Sequence, residues 1–175
     1  MKKEIADNIA LFISFFSLIC AAISGYYAHV AGRLSKGSIA YNFFLRYSDD
    51  KMRQSLRKVG KFKRERDSRD RYKNEFIDVW FSALKNEEGW ALELEEARHI
   101  IKFYYRDVAT LYQAGCIDDE IAEQICSAGG IFLFTDCILL LERRANPFPY
   151  KDEYFPIPMI ASRMRKQRAE YKHKV

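Results

Sequence analysis

The sequence has few of the residues that form tight turns or carry imidazole and thiol chemistry. Of its 175 residues, 8 are glycine, 4 are proline, 4 are cysteine and 3 are histidine. So little glycine and proline excludes a turn-rich β protein. The cysteines form no C-x-x-C pair and no histidine stands at a ligand-like spacing, which argues against a zinc site. The sequence therefore predicts an all-α protein that holds no metal.

Motifs of common catalytic chemistry are also missing. The sequence contains no glycine-rich phosphate loop, no G-x-S-x-G and no H-E-x-x-H, so those classes of nucleotide-binding protein, esterase and metalloprotease are excluded. Hydrophobic residues make up 49% of the chain and charged residues 30%, which predicts a folded chain rather than a disordered one. We expect a non-enzymatic protein without a cofactor.

One long segment contains no charge at all. Between Ile9 and Val30 there is a run of 22 uncharged residues. As a helix this run is about 33 Å long, enough to cross the hydrocarbon core of a bilayer. A cleavable signal peptide has a shorter apolar core and small residues at its cleavage site, whereas Tyr26 and Tyr27 stand near that point here. We predict a transmembrane helix over residues 1–32, with a signal peptide and a buried core helix as the alternatives.

Basic residues flank this helix unequally. The N-terminal flank has two lysines beside two acidic residues, whereas Arg33, Lys36 and Arg46 follow the helix and precede a dense basic run. Cytoplasmic flanks carry the excess of basic residues. The sequence thus predicts a single-pass protein of the cell inner membrane, with its N-terminus outside and residues 33–175 in the cytoplasm. The cysteines beyond the helix are then expected as free thiols, because that compartment is reducing.

Small residues recur along one face of the predicted transmembrane helix. The steps between them are mostly three and four, which places them on one side of an α-helix. In lipid, such a stripe lets helix backbones approach closely, and serine hydroxyls suit a water-filled lumen. The stripe predicts a self-associating helix that lines a pore; the alternative is a lone anchor with incidental small residues. Its members are Ala10, Ser14, Ser17, Ala21, Ser24, Gly25, Ala28 and Gly32.

Charge is segregated along the rest of the chain. Residues 51–73 contain eleven basic and three acidic residues, residues 74–123 contain four basic and twelve acidic ones, and residues 161–175 contain six basic residues and one acidic. The basic segment 51–73 is suited to anionic lipid, to RNA or another phosphate, or to the acidic segment of the same or a neighbouring subunit. Only Phe62 and Tyr72 interleave its charges, so lipid and intersubunit pairing are favoured over base stacking on RNA.

Hydrophobic spacing predicts helices after the anchor as well. We divide the chain into the anchor 1–32, a basic juxtamembrane helical neck 33–73, and a cytoplasmic α-helical domain 74–175 with a basic C-terminal tail. Turn and capping residues predict a break at Gly37-Ser38, helix starts at Asp49 and Asp118, a C-terminal cap at Gly115, one helix over residues 119–144 and a last helix over residues 159–171.

One apolar stretch of the domain contains a single acid. The segment Ile131–Leu141 is apolar apart from Thr135 and Asp136, and it is too short to cross a bilayer. We predict a buried core helix. A buried carboxylate needs a basic partner, and we expect one among Arg98, Arg106 and Arg144.

One spacing in the basic tail points to phosphate chemistry. Arg168 and His173 are separated by four residues in the sequence RAEYKH. A histidine can act as a general acid or base, and an arginine can stabilise phosphate charge. The spacing resembles the Arg-x4-His motif of HEPN ribonucleases, all-α domains that use such residues from paired subunits at an RNA phosphate. Ala169 departs from the polar residue that usually follows the arginine in that family. A catalytic pair, a structural motif and a solvated tail all stay open.

The architecture resembles a more specific family. An N-terminal membrane helix, a basic neck, a small helical domain and the Arg168/His173 pair together resemble the small membrane-anchored accessory proteins of type VI-B CRISPR systems. The resemblance implies a degenerate HEPN-like domain and a homo-oligomeric membrane pore. It also implies a functional link to an RNA-guided, RNA-cleaving effector nuclease in antiviral defence. The alternatives are a membrane-tethered HEPN-type ribonuclease and a plain membrane-anchored scaffold.

Overall fold

The described part of the chain is helical throughout. The computed structural model describes the backbone of residues 2–68, 73–126, 129–145 and 153–172, and the side chains of these residues except 2–13, 73, 74 and 172. No strand occurs among those residues, which confirms the predicted all-α class. The helices are α1 (Lys2–Ser48), α2 (Asp50–Asp67), α3 (Lys73–Lys85), α4 (Gly89–Gln113), α5 (Asp119–Ile125), α6 (Gly130–Leu133), a π-helical turn (Phe134–Ile138), α7 (Leu139–Ala145) and α8 (Ile157–Lys172).

These helices belong to two compact units. One unit is Met1–Ile39, which contains most of α1, and the other is Ala40–Val175. Helix α1 continues through Gly37 and Ser38, so the predicted break there is wrong. A single glycine costs a helix only about 1 kcal/mol, and regular helix on both sides outweighs that cost. The division at residues 32 and 73 stays a prediction.

Capping residues begin and end helices at the predicted places. The Asp49 carboxylate accepts a hydrogen bond of 3.0 Å from the backbone N–H of Lys51 at the start of α2. Asp118 accepts one of 3.1 Å from the N–H of Ile121 at the start of α5. These bonds satisfy amide groups that the first helical turn leaves unpaired. Gly115 follows α4 with φ of +70°, the left-handed conformation in which glycine often ends a helix.

Helix α4 is the central element of the second unit. It packs against α2, α3, α5 and the π-helical turn. The core around it consists of large apolar side chains from each of these elements and from α8, and it includes the segment predicted as a buried core helix. Its fully buried side chains include Val59, Trp80, Ile101, Tyr104, Tyr105, Ile131, Phe134, Ile138, Leu141, Ile157 and Ile160.

The prediction of one continuous helix over residues 119–144 is wrong. Helix α5 ends at Ile125, and helical structure starts again at Gly130. A π-helical turn then separates α6 from α7. A π turn breaks the regular hydrogen-bond ladder of an α-helix. Here the carbonyl oxygen of Asp136 accepts a bond of 2.9 Å from Nη1 of Arg66, so the buried arginine of α2 satisfies it.

Gly130 lies where α6 closely approaches the end of α1. Its N–H donates to the Tyr47 hydroxyl at 3.1 Å, and a Cβ at this position would lie 2.6 Å from the Tyr47 hydroxyl oxygen and 2.7 Å from that of Tyr105. Tyr105 is fully buried, and both hydroxyls would have to shift to make room for the Cβ. We therefore expect Gly130→Ala to lower the free energy of unfolding by about 1–3 kcal/mol, measured by urea unfolding in detergent. In Gly129→Ala the new Cβ would meet no atom within 4 Å, so an equal loss in that control would contradict the prediction.

Candidate membrane and oligomerisation surfaces

The first unit carries its apolar side chains on the outside. Every side chain from Ser14 to His29 is exposed. The segment Ser14–Ser48 is long and apolar enough to cross a membrane, and none of its most apolar window is buried in the protein. Phe16 and Tyr26 are 60% and 67% exposed. An apolar surface of this size on a soluble monomer marks a place where lipid or another protein binds.

The small-residue stripe lies on one side of α1. Successive residues of an α-helix are 100° apart, which places the stripe within an arc of about 100°. The largest apolar side chains of the same segment, among them Phe16, Ile19 and Ile23, lie on the opposite side by the same geometry. The predicted site residues on the stripe are all exposed. They are Ser14, Ser17, Ala21, Ser24 and Ala28.

A groove lies in the second unit between the last turns of α1, the start of α2 and the end of α5. It is a cavity of about 550 Å³. Two of its aromatic side chains, Tyr41 and Phe44, are 62% and 64% exposed. Sequence reasoning missed this groove because residues 40–48 and 124–125 are far apart in the chain. Its lining residues are Ala40, Tyr41, Phe44, Tyr47, Ser48, Arg53, Gln124 and Ile125.

The same end of α1 is fixed firmly to the domain. The Phe43 side chain is buried, and its ring lies 5.4 Å from that of Tyr104. The Arg46 guanidinium donates to the Asp107 carboxylate of α4 at 2.9 Å. The Tyr47 hydroxyl accepts a hydrogen bond from the backbone N–H of Gly130. These contacts hold residues 43–47 on one side while Tyr41 and Phe44 stay exposed on the other.

Fewer charges of the basic segment 51–73 are available to an external anion than its composition suggests. Lys58 pairs with Glu93 at 3.1 Å and Lys63 with Asp67 at 2.6 Å. Arg66 is 7% exposed and binds within the domain. Arg57 and Arg64 are exposed, and within the described residues neither has an acidic partner. These two arginines are therefore available to an external anion, whether anionic lipid or acidic residues of a neighbouring subunit.

A buried ionic cluster joins α4 to α7. Glu142, which is 2% exposed, forms ion pairs with Arg98 and, at 2.9 Å, with Lys102. Burial, followed by the nearby Arg98 charge, lowers the pKa of Lys102. Burial would raise the pKa of Glu95, but hydrogen bonds and charge from Arg98 outweigh it and lower that pKa. Sequence reasoning missed this cluster, although Arg98 and Lys102 recur at helical spacing among the apolar residues of α4.

The partner predicted for Asp136 is wrong. Its carboxylate forms an ion pair with Arg165 of α8, because α8 packs against the π-helical turn. The three arginines expected there have other contacts. Arg98 binds Glu95 and Glu142, Arg144 donates to Asp78 at 2.6 Å, and Arg106 lies over the Phe103 ring at 4.5 Å.

Arg168 lies on the exposed part of α8, and His173 lies outside the described residues. The Arg168 guanidinium is 4.8 Å from the centre of the Phe132 ring, and that of Arg165 is 5.1 Å from it. Both arginines line a cavity of about 800 Å³. The described part of the chain thus brings Arg168 together with an aromatic ring and a second arginine. The predicted pairing of Arg168 with His173 stays a prediction.

The cysteines are free thiols. Cys20 and Cys116 are exposed, whereas Cys126 and Cys137 are buried. Burial raises the pKa of both buried thiols to about 12. A thiol with so high a pKa is a poor nucleophile at neutral pH, because the thiolate is the reactive form.

Comparisons with known proteins identify no relative of this chain. No protein-family model matches it, and neither a curated protein nor a solved structure is significantly similar.

Proposed function

We propose that this chain is a single-pass inner-membrane protein whose N-terminal helices associate into a homo-oligomeric pore. The N-terminus is outside and the helical domain is in the cytoplasm. The observation that carries the proposal is that every side chain of α1 from Ser14 to His29 is exposed. A bilayer around the large apolar side chains removes them from water, and this leaves the small-residue side for contact with other copies.

The composition of that side favours a pore over simple pairing. Its serines, at positions 14, 17 and 24, are polar groups that a water-filled lumen tolerates. Its alanines and glycines allow neighbouring helices to approach closely. A ring of about five or more single helices is needed to enclose a wet lumen. The mass of the detergent-solubilised particle therefore separates a pore from the dimer expected of a paired ribonuclease.

The biological setting that we propose comes from the type VI-B resemblance. Such an accessory pore would act when an RNA-guided effector nuclease has been activated by viral RNA. The fold is compatible with this role, because a small all-α domain follows a helix that is long and apolar enough to span a membrane. The alternatives are a membrane-tethered HEPN-type ribonuclease that uses Arg168 and His173, and a plain membrane-anchored scaffold.

Blocking the stripe should abolish ion leak. In Ser17→Leu and in Ser24→Leu, a large side chain replaces a small one where helices approach. We therefore expect vesicles that contain either variant, at the same protein-to-lipid ratio as the wild type, to release no ions. The measurement is efflux from reconstituted liposomes, with insertion verified by resistance to carbonate extraction. Phe16→Leu and Ile23→Leu, on the opposite side of α1, are matched controls that should leak as the wild type does. Retained leak in both serine variants would refute the pore.

A further inference from the structure

We propose that the cavity between α8 and the segment formed by α6 and the π-helical turn binds a small organic molecule that carries a phosphate group. The cavity has a volume of about 800 Å³, which lies within the range of about 300–1,000 Å³ that is usual for ligand sites. Residues from distant parts of the chain line it, among them Phe132, Asp136, Arg165, Arg168 and Tyr171. Binding at this cavity involves only the second unit, so it does not depend on the pore proposed above.

One aromatic ring brings two cations together in this cavity. The Arg168 guanidinium lies 4.8 Å from the centre of the Phe132 ring, and the Arg165 guanidinium lies 5.1 Å from it. A cation–π contact leaves the N–H donors of a guanidinium available for hydrogen bonds. Because the guanidinium is planar, its donors fit two oxygens of one phosphate at the same time. The ring therefore holds two groups that are suited to an anion beside each other.

The positive charge of the cavity is only partly neutralised within the domain. Arg165 forms an ion pair with Asp136 and donates to the Thr135 hydroxyl at 2.9 Å, and both contacts use its Nη2. Arg168 is exposed, and within the described residues it has no acidic partner. The Arg168 guanidinium and the other donors of Arg165 are therefore available to an anion from outside, and the net positive charge of the cavity attracts one.

Two arginines hold the π-helical turn in place on its side of the cavity. The carbonyl oxygen of Asp136 accepts a hydrogen bond of 2.9 Å from the buried Arg66, and its carboxylate pairs with Arg165. π-helical turns inside α-helices occur frequently at functional sites. Side chains that are already held in position lose less conformational freedom when a ligand binds, so this arrangement favours binding.

The size and the chemistry of the cavity indicate the class of ligand. A single inorganic ion would fill only a small part of about 800 Å³, so we expect the anion to be part of a larger molecule. Tyr171, which is 71% exposed, provides an apolar ring and a hydroxyl group for that molecule. A phosphate has more acceptor oxygens than a carboxylate and can bind both arginines at once. A soluble phosphate ester and the headgroup of an anionic lipid both have this chemistry.

Two probes test the site on the full chain in an uncharged detergent. Phenyl phosphate is titrated by calorimetry as the soluble probe, and dioleoylphosphatidylglycerol is added as the lipid probe, with its adducts counted by native mass spectrometry. We expect Arg168→Gln to weaken binding of at least one probe by about 10- to 100-fold, because hydrogen bonds to a charged group contribute about that factor. Dependence of phenyl phosphate alone on Arg168 identifies a soluble ester, and dependence of the lipid adduct identifies a headgroup.

Matched variants separate this site from general attraction to a basic helix. Lys166 is exposed on α8 but does not line the cavity, so Lys166→Gln removes the same charge and should bind both probes as the wild type does. His173→Ala should also bind normally, because the proposed site does not use that histidine. The proposal is overturned if neither probe depends on Arg168, or if Lys166→Gln or His173→Ala weakens binding as much as Arg168→Gln. Equally tight binding of benzoate in place of phenyl phosphate would overturn the assignment to phosphate.

Discussion

Replacing Glu142 with glutamine is expected to lower the free energy of unfolding by about 3–5 kcal/mol. The carboxylate is 2% exposed and forms ion pairs with Arg98 and Lys102, both of which are also buried. Glutamine keeps the shape of the side chain but removes the negative charge, so two buried cations lose their shared partner. The measurement is urea unfolding of the full chain in detergent, followed by the fluorescence of the fully buried Trp80.

An exposed ion pair provides the control for this effect. Arg144 and Asp78 are joined at 2.6 Å, with side chains 51% and 56% exposed. We expect Asp78→Asn to cost less than about 1 kcal/mol, because water screens exposed pairs. Replacing Glu142, Arg98 and Lys102 together with leucine and methionines should restore most of the stability, because the three buried charges are then removed and Glu95, which loses Arg98, keeps its contact with His99. Equal losses in Glu142→Gln and Asp78→Asn would contradict the assigned role.

Two arginines in the middle of α1 are expected to release the protein from the membrane. Phe16 and Ile19 lie near the centre of the uncharged run, on the side opposite to the small-residue stripe. Each arginine costs about 2.5–3.5 kcal/mol at the centre of a bilayer, and each lost apolar side chain about 0.3–0.6 kcal/mol more. Phe16→Arg/Ile19→Arg therefore disfavours insertion by about 6–8 kcal/mol. The measurement is the fraction of protein that stays in the membrane pellet after carbonate extraction.

The same two charges placed on the domain serve as the control. Leu92 and Phe103 are exposed on α4, so Leu92→Arg/Phe103→Arg should leave the membrane fraction unchanged. If Phe16→Arg/Ile19→Arg remains fully in the pellet, α1 is not the segment that holds the protein in the membrane. If both double variants leave the pellet, the effect comes from net charge rather than from insertion.

Local signals predicted the helix ends well where one residue dominates the geometry. Asp49 and Asp118 accept hydrogen bonds from the first turns of α2 and α5, and Gly115 adopts a positive φ after α4. In each case a side chain or a missing Cβ acts within a few residues of the chain. At Gly37 the same kind of signal misled, because one glycine is a weak helix breaker when regular helix continues on both sides.

Partners distant in the chain were harder to predict. Asp136 pairs with Arg165, 29 residues away, and not with the three arginines that sequence reasoning favoured. The apolar periodicity of residues 119–144 indicated one helix, whereas the structure divides it after Ile125. The Asp136–Arg165 pair depends on how α8 and the π-helical turn pack against each other. Periodicity within one element contains no information about that packing.

The sequence by itself determined the all-α class, the long uncharged run suited to a membrane and the stripe of small residues on it. These follow from composition and from the 3.6-residue period, which are properties of neighbouring residues. Only the tertiary structure decided which charged side chains are exposed and available to a binding partner. It buries Arg66, Arg98 and Lys102 in the domain and leaves Arg57 and Arg64 exposed. The physical reason is that an ion's burial and pairing depend on segments brought together from distant parts of the chain, and the same holds for the groove at the end of α1.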